Sequence, residues 1–282
     1  MPLPKRHHYV PQMILNGFTD PDGWLHWCRH REDPSAIRRA RTAELFHQNH
    51  LYSTLSESGI KDPAMERALS VLESEAVSVV QAILDQARAG RVPALSAGQM
   101  RVWHLFFLMQ WRRTPETQRA NTSDEEATRM IEGIIAELRQ AVPHRSAEIE
   151  RLATPEAMAR TIRNVRVQTL IQFSGEVMTV LERRGIAVLR ISRPHKSFII
   201  GSRPVVKLTS PGRTDLTDPH VEMWMPIASD IAVGVGRGDG GVSLHHADDG
   251  ATVRQLNLTI AKQSGTIAAG SATLVRSIAN AR

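Results

Sequence analysis

At position 185 the apolar pattern of this chain changes its period, and that switch limits the fold more than any other feature. Upstream, Met65, Leu69, Leu72, Ala76, Val79 and Ile83 recur at steps of four and three, which gathers them on one helical face. Asp62 can cap this helix, Pro63 suits its first position and Gly90 can end it, so a helix is predicted over 62–90. A second helix is predicted over 96–113, apolar on most sides and therefore central, and stopped near Pro115. A third covers 124–141, and a long fourth covers 155–184 and ends at Gly185. Downstream, "IAVLRIS", "SFIIG", "PVVKL", "EMWMPI" and "IAVGVG" are short β-branched runs parted by Gly, Pro, Ser and Asp. They predict strands of a mostly antiparallel sheet, with one more helix over 250–265 and "TIAAGS" as a closing strand.

Helices and strands are thus segregated along the chain, which predicts an α+β fold and argues against a doubly wound one. A single domain over 1–282 is expected, mainly helical over 1–184 and strand-rich over 185–282. Ahead of the first helix, "WLHWCRH" (24–30) alternates like a strand after the turn "DPDG", and "HLYST" (50–54) reads as another. "GVGRGDGG" (234–241) lies between strand-like runs with no helix after it, so it reads as a hairpin turn, not a phosphate loop. His245 and His246, beside "ADDG", read as a polar loop.

Composition narrows the function classes. The lone Cys28 cannot form an internal disulfide, and with no partner at zinc-finger spacing it gives no zinc signature, so a reducing cytoplasm is the expected location. No apolar leader follows the N-terminal basic residues, and the richest apolar stretch, "VWHLFFLMQW" (102–111), is too short to span a bilayer; no membrane partner is expected. The net charge is +6, and among 35 basic residues only Lys5, Lys61, Lys196, Lys207 and Lys262 are lysine. An arginine excess suits bidentate contacts to phosphate or carboxylate, although solvated arginines paired with the 29 acids would look the same.

The polar residues that invite chemistry are scattered. In "KRHHYVPQMILNGF" (5–18), His7 and His8 can exchange a proton near neutral pH, while Gln12 and Asn16 fall one turn apart after Pro11. The alternative is that one histidine bonds a nearby carbonyl while the other is solvated. His26 and His30 fall four apart in a segment read as a strand, which fits no metal-ligand spacing. Glu66 and Glu73 lie seven apart on the first long helix, hence on one side of it. Facing inward they could orient a histidine, hold Mg²⁺ or pair with an arginine; Glu73, bracketed by Leu72 and Ala76, is the better placed for this. Arg112 and Arg113 end the central helix, where one can satisfy terminal carbonyls and the other can face an anion.

The opening "RHHYVPQMILNGF" resembles the start of an uncharacterised bacterial and fungal family, domain of unknown function 4238. "LYS" (51–53), "MERALSVLESEA" (65–76), "RTP" (113–115), "FIIGSRPVV" (198–206), "MPI" (225–227) and "LNLTIAKQS" (256–264) follow in the order of that family's landmarks. The resemblance implies that His8, Pro11, Gln12, Glu73 and Arg113 are the marked positions. It also implies an acid where this chain has Ser202. A His, a Gln, a Glu and an Arg drawn from separate elements suggest a pocket. The expectation is a hydrolase acting on a phosphate-containing substrate, with nucleic acid the leading candidate. His8 would be the general acid or base, Glu73 its orienter or a Mg²⁺ ligand, and Arg113 the stabiliser of phosphoryl charge, with His7, Gln12, Asn16 and Arg112 on the substrate. The alternative is a non-catalytic nucleic-acid- or protein-binding module in which the opening motif is structural. The sequence leaves the oligomeric state open.

Overall fold

The structure is a computed structural model, and it describes residues 6–172, 175–208, 215–238 and 240–281. In chain order the elements are β1 (Arg6–His8), α1 (Gln12–Leu15), β2 (Leu25–Cys28), β3 (Arg38–Ala40), β4 (His47–Asn49), β5 (Thr54–Leu55) and β6 (Lys61–Asp62). The helices α2 (Ala64–Arg88), α3 (Ala97–Arg112), α4 (Pro115–Asn121), α5 (Asp124–Ala141), α6 (Ser146–Leu152), α7 (Pro155–Gln168) and α8 (Gly175–Arg184) follow. The remainder is β7 (Ile186–Arg190), β8 (Ile200–Gly201), β9 (Val206–Leu208), β10 (Glu222–Ala228), β11 (Ile231–Val235), β12 (Val242–His246), α9 (Gly250–Gln263), β13 (Ile267–Ala269) and α10 (Ala272–Ala279). The class is α+β, as the segregation of periods requires.

Two larger sheets organise the chain. The five-stranded sheet runs β12-β7-β11-β10-β9, with β12 parallel to β7 and the other pairs antiparallel. The four-stranded sheet runs β3-β2-β13-β8, so strands from near the two ends of the chain are hydrogen-bonded to one another. One core joins both sheets to α2 and α3, drawing on Val79, Ile83, Trp103, Phe106, Val188 and Met225 among others.

Local chemistry explains the two central helices. α2 buries Met65, Leu69, Ala76, Val79 and Ile83 on one face and is closed by Gly90 at φ +74°, where the Arg91 amide donates back to the Gln86 carbonyl at 2.9 Å. α3 begins in a capping box: Ser96 Oγ accepts from the Gln99 amide at 3.2 Å, and Gln99 Oε1 accepts from the Ser96 amide at 2.9 Å. Ser96→Ala is expected to cost about 1 kcal/mol in a denaturant titration, while Ser96→Asp keeps most of the stability.

Several expectations are corrected. The segment 50–54 is mostly a turn between β4 and β5, because His50 takes φ +54° and reverses the chain. The helix expected over 155–184 is interrupted: α7 ends at Gln168 in a 3-10 turn over Thr169–Ile171, and α8 begins at Gly175. Arg112 takes up the carbonyls freed there, donating to Thr169 at 2.8 Å and Gln172 at 2.7 Å; residues 173 and 174 of that expected helix lie outside the described residues. "TPE" ends α3 but also starts α4, with Thr114 as its cap and Pro115 in the first turn. "GVGRGDGG" is no hairpin, since β12 pairs with β7 on the side away from β11 and the chain must cross the end of β7 to reach it; Asp239 within it lies outside the described residues. Gly185, at φ +72°, lets that crossing pack closely, because a Cβ there would meet the Gly241 carbonyl at an impossible separation. His245 and His246 are consequently strand residues on β12. Among the described residues no helix is long and apolar enough to cross a membrane.

Candidate functional site

β1 and β4 form a two-stranded ribbon in which His7 faces Gln48 and His8 faces His47. Strand alternation sends the two neighbouring histidines to opposite faces. His7 turns inward and is 1% exposed. Its Nδ1 accepts from the Tyr52 amide at 3.1 Å and lies 3.3 Å from Glu66 Oε2. The Tyr52 ring stacks on it at 5.8 Å between centroids, and the His50 ring meets it edge-on at 6.1 Å. His8 turns the other way, against His47 at 5.5 Å; burial first and His47 second pull its pKa below the usual histidine value.

Glu66 and Glu73 stand two turns apart on α2, both toward this cluster. Arg113, at the C-terminal cap of α3, is 1% exposed and donates from Nη1 to Glu73 Oε1 at 2.5 Å and from Nε to the Tyr9 carbonyl at 3.0 Å. With the Gln110 amide turned so that its oxygen faces the guanidinium, that oxygen accepts from Nη2 at 3.2 Å. The Tyr52 hydroxyl donates to the Arg113 carbonyl at 3.2 Å, and the guanidinium lies 5.9 Å from the Tyr52 ring centre. Burial opposes the Arg113 charge, but Glu73 and then Tyr52 outweigh it and hold the group more firmly protonated. The site therefore has a buried floor of His7, Tyr52 and Arg113 beneath two carboxylates that solvent reaches, Glu66 at 17% and Glu73 at 31% side-chain exposure.

The electrostatics single out Glu66. Burial, then repulsion from Glu73, push its carboxyl up to about 7, against an opposing pull from Arg113. Its neighbour His7 uses its Nδ1 lone pair to accept from the Tyr52 amide, so the Glu66 carboxyl lies 3.3 Å from an imidazole nitrogen whose tautomer that amide fixes. A carboxylic acid that titrates near neutrality beside an imidazole can give or take a proton during a reaction.

The expected residues thus divide. His7, Glu73 and Arg113 meet; His8 lies on the far face of the ribbon. Gln12 of α1 and Asn16, which follows that helix, are exposed to solvent, and Arg112 is committed to the turn after α7. Glu66, Tyr52 and Gln110 complete the cluster beyond the residues expected to carry it. The seven-residue spacing of Glu66 and Glu73 is the available signal for the first, since two inward carboxylates on one face repel unless a cation lies between them. Among the described residues no group of three or more His, Cys, Asp or Glu side chains could hold a metal ion.

Beside the cluster lies a cleft of about 270 Å³ lined by Gln48, Gln118, Arg119, Arg163 and Arg166, among others. Gln48 is the ribbon partner of His7, and Arg163 donates to the carbonyls of His50 and Ser53, the turn that carries Tyr52. Arg166 is held by Asp124 at 2.6 Å. Elsewhere, the buried Ser202 hydroxyl donates to Glu116 Oε1 at 2.5 Å and accepts from the amides of Gly265 and Thr266 at 3.1 and 3.2 Å. An acid is therefore present at this joint, supplied by α4. Ser202→Ala is expected to lower stability by about 1–3 kcal/mol, read by thermal denaturation, because the two amides and Glu116 lose a shared buried partner.

The family model described as protein of unknown function (DUF4238) matches residues 6–271. No curated protein and no solved structure matches the chain.

Proposed function

The chain belongs to the DUF4238 family, and from that premise and the site's geometry we propose that it is a hydrolase of a phosphate-containing substrate, with nucleic acid the leading candidate. The observation that carries the reading is the meeting of His7, Glu66, Glu73 and Arg113 from three separate segments, with the carboxylates at the surface and the cation beneath them. In this reading Glu66 and His7 are the acid–base couple, in place of His8. Arg113 is a positioning residue: its guanidinium orients Glu73 and limits how far Glu66 is pushed up. The arginine cleft beside the ribbon is where the substrate's phosphate rests, as bidentate guanidinium contacts suit phosphate oxygens. The test is hydrolysis by purified protein of single-stranded RNA, single-stranded DNA, duplex DNA and nucleoside phosphates, each with Mg²⁺ and with chelator. Turnover of any of them that falls at least a hundredfold in Glu66→Gln supports the reading; turnover of none overturns it.

A second reading is favoured by one observation: Arg113 is buried and engaged with Glu73, Tyr9 and Gln110 together. In a non-catalytic binding module this cluster simply fastens the leading ribbon to α2 and α3. Substitutions there would then change stability in proportion to their effect on ligand binding, and Glu66→Gln would leave binding intact.

A further inference from the structure

A second cavity lies away from the His7 cluster. It encloses about 1090 Å³ between one face of the five-stranded sheet and α9. Ala187 and Leu189 of β7 and Trp224 of β10 form its floor, with Arg237, Lys262 and His245 on its rim. The wall is fastened by a two-way amide exchange: Gln263 of α9 accepts from the Lys207 amide at 3.2 Å and donates to the Lys207 carbonyl at 2.7 Å, occupying strand β9 at the edge of the sheet. The loop leading into β10 is pinned by the Arg184 side chain, which donates to the carbonyls of Leu216, Asp218 and Val221 at 2.8 to 3.2 Å.

Trp224 is held in a particular way. It pairs across strands with Gly234, and a Cβ at Gly234 would come within 2.7 Å of two indole atoms, so the ring lies flat on β11 where a glycine leaves room. The indole Nε1 donates to Glu222 Oε2 at 3.0 Å, and Arg237 Nη2 donates to Glu222 Oε1 at 2.7 Å. The ring is therefore fixed at its edge, flat on the sheet, and forms part of the cavity floor. Among the described residues the cavity lining carries the cations Lys207, Arg237 and Lys262 and the carboxylate Glu222, which Arg237 and Trp224 engage, while Asp215 acts on Lys207.

We propose that this cavity binds a nucleotide unit, its base stacked on Trp224 and its phosphate met by Arg237 and Lys262. A flat, edge-anchored indole recognises a planar heteroaromatic ring, and stacking tolerates any base. The surplus of positive charge on the lining selects an anion. The volume lies just above the range of about 300–1,000 Å³ usual for small-ligand pockets, which leaves room for more than one nucleotide and favours a single strand over a free mononucleotide. The site is separate from the chemistry at Glu66 and needs none of it.

The test uses the full chain in its Glu66→Gln form, so that no turnover disturbs binding. A fluorescein-labelled oligothymidylate is titrated by anisotropy, with adenosine monophosphate as competitor and a duplex as control. Trp224→Ala should weaken strand binding about tenfold, within the range expected for losing one stacked base, and Trp224→Phe should recover most of it. Lys262→Ala, at an exposed position that leaves the fold undisturbed, should weaken binding and reduce the salt slope by about 0.7, the value for one phosphate contact on a single strand. Displacement by the mononucleotide assigns the site to free nucleotides, and strand binding without displacement assigns it to a strand; both support the proposal. Absence of binding to either, affinities unchanged in Trp224→Ala and Lys262→Ala, or equal binding of the duplex overturns it. Because binding is read without turnover, its failure is distinct from a failure of the hydrolase reading.

Discussion

Arg113→Ala is expected to lower the folding free energy by about 3–5 kcal/mol, the cost usual for breaking a buried ion pair by removing one partner. The guanidinium is itself 1% exposed and is the common partner of Glu73, the Tyr9 carbonyl and the Gln110 amide, so its loss empties a large buried site, strands the Tyr9 carbonyl and the buried Gln110 amide, and leaves Glu73 without its cation. Urea unfolding followed by tryptophan fluorescence measures it. Arg113→Lys should recover only part of the stability, because an ammonium cannot reach Glu73 and Tyr9 in the same fork geometry. A loss below about 1 kcal/mol would be in the range of an exposed pair and would mean that the cluster does not hold the ribbon to the helices.

Glu66→Gln should act in the opposite direction on stability while abolishing the proposed chemistry. The folded chain holds a proton on Glu66 up to about 7, whereas an ordinary glutamate releases it near 4.5. Between those values the native state binds more protons than the unfolded one, so this group's contribution is fully present below about 4.5 and is lost as pH rises through about 7. The loss across that window is on the order of 2–3 kcal/mol, since each tenfold change in proton affinity is worth about 1.4 kcal/mol and partial solvent contact reduces the total. Glutamine mimics the protonated carboxyl in carrying no charge. The variant should match the wild type at pH 5, exceed it by about 2 kcal/mol at pH 8, and lose the downward slope between them. Stability curves at a series of pH values measure this, and parallel curves for the two proteins would contradict it.

The contrast between these two substitutions follows from what a sequence can and cannot express. The four-and-three spacing of Met65, Leu69, Ala76, Val79 and Ile83 is a one-dimensional record of burial, and α2 lies where it predicts. Gly90 and the Ser96 capping box mark ends by local chemistry that needs no tertiary partner. The interruption of 155–184 is invisible for the opposite reason: carbonyls freed after Gln168 are taken by Arg112, 57 and 60 residues away in the chain. β12 escapes a local reading because parallel pairing with β7 is a long-range fact, and its His245 and His246 carry no strand signature of their own.

The site is legible in the same uneven way. Glu73 and Arg113 stand out from spacing and helix position, and they bond to each other. Family resemblance favours His8 over His7; the pairing of His7 with Gln48 and His8 with His47, not readable before the ribbon partner is known, decides which ring faces Glu66. Glu66 carries little signal of its own, because an isolated glutamate on a long helix is usually solvated. What brings it in is Tyr52, delivered by the turn at His50, whose backbone amide fixes the His7 ring against it.

The most direct test of the account is the pH dependence of phosphodiester hydrolysis by the wild type and Glu66→Gln, measured on the substrate found in the panel. The account predicts a rate profile with a limb near pH 7 in the wild type and a loss of roughly 10²–10⁴-fold in the variant, the usual worth of a positioned acid or base, with folding stability equal or greater. Undiminished turnover in Glu66→Gln, or a wild-type profile without that limb, would contradict it.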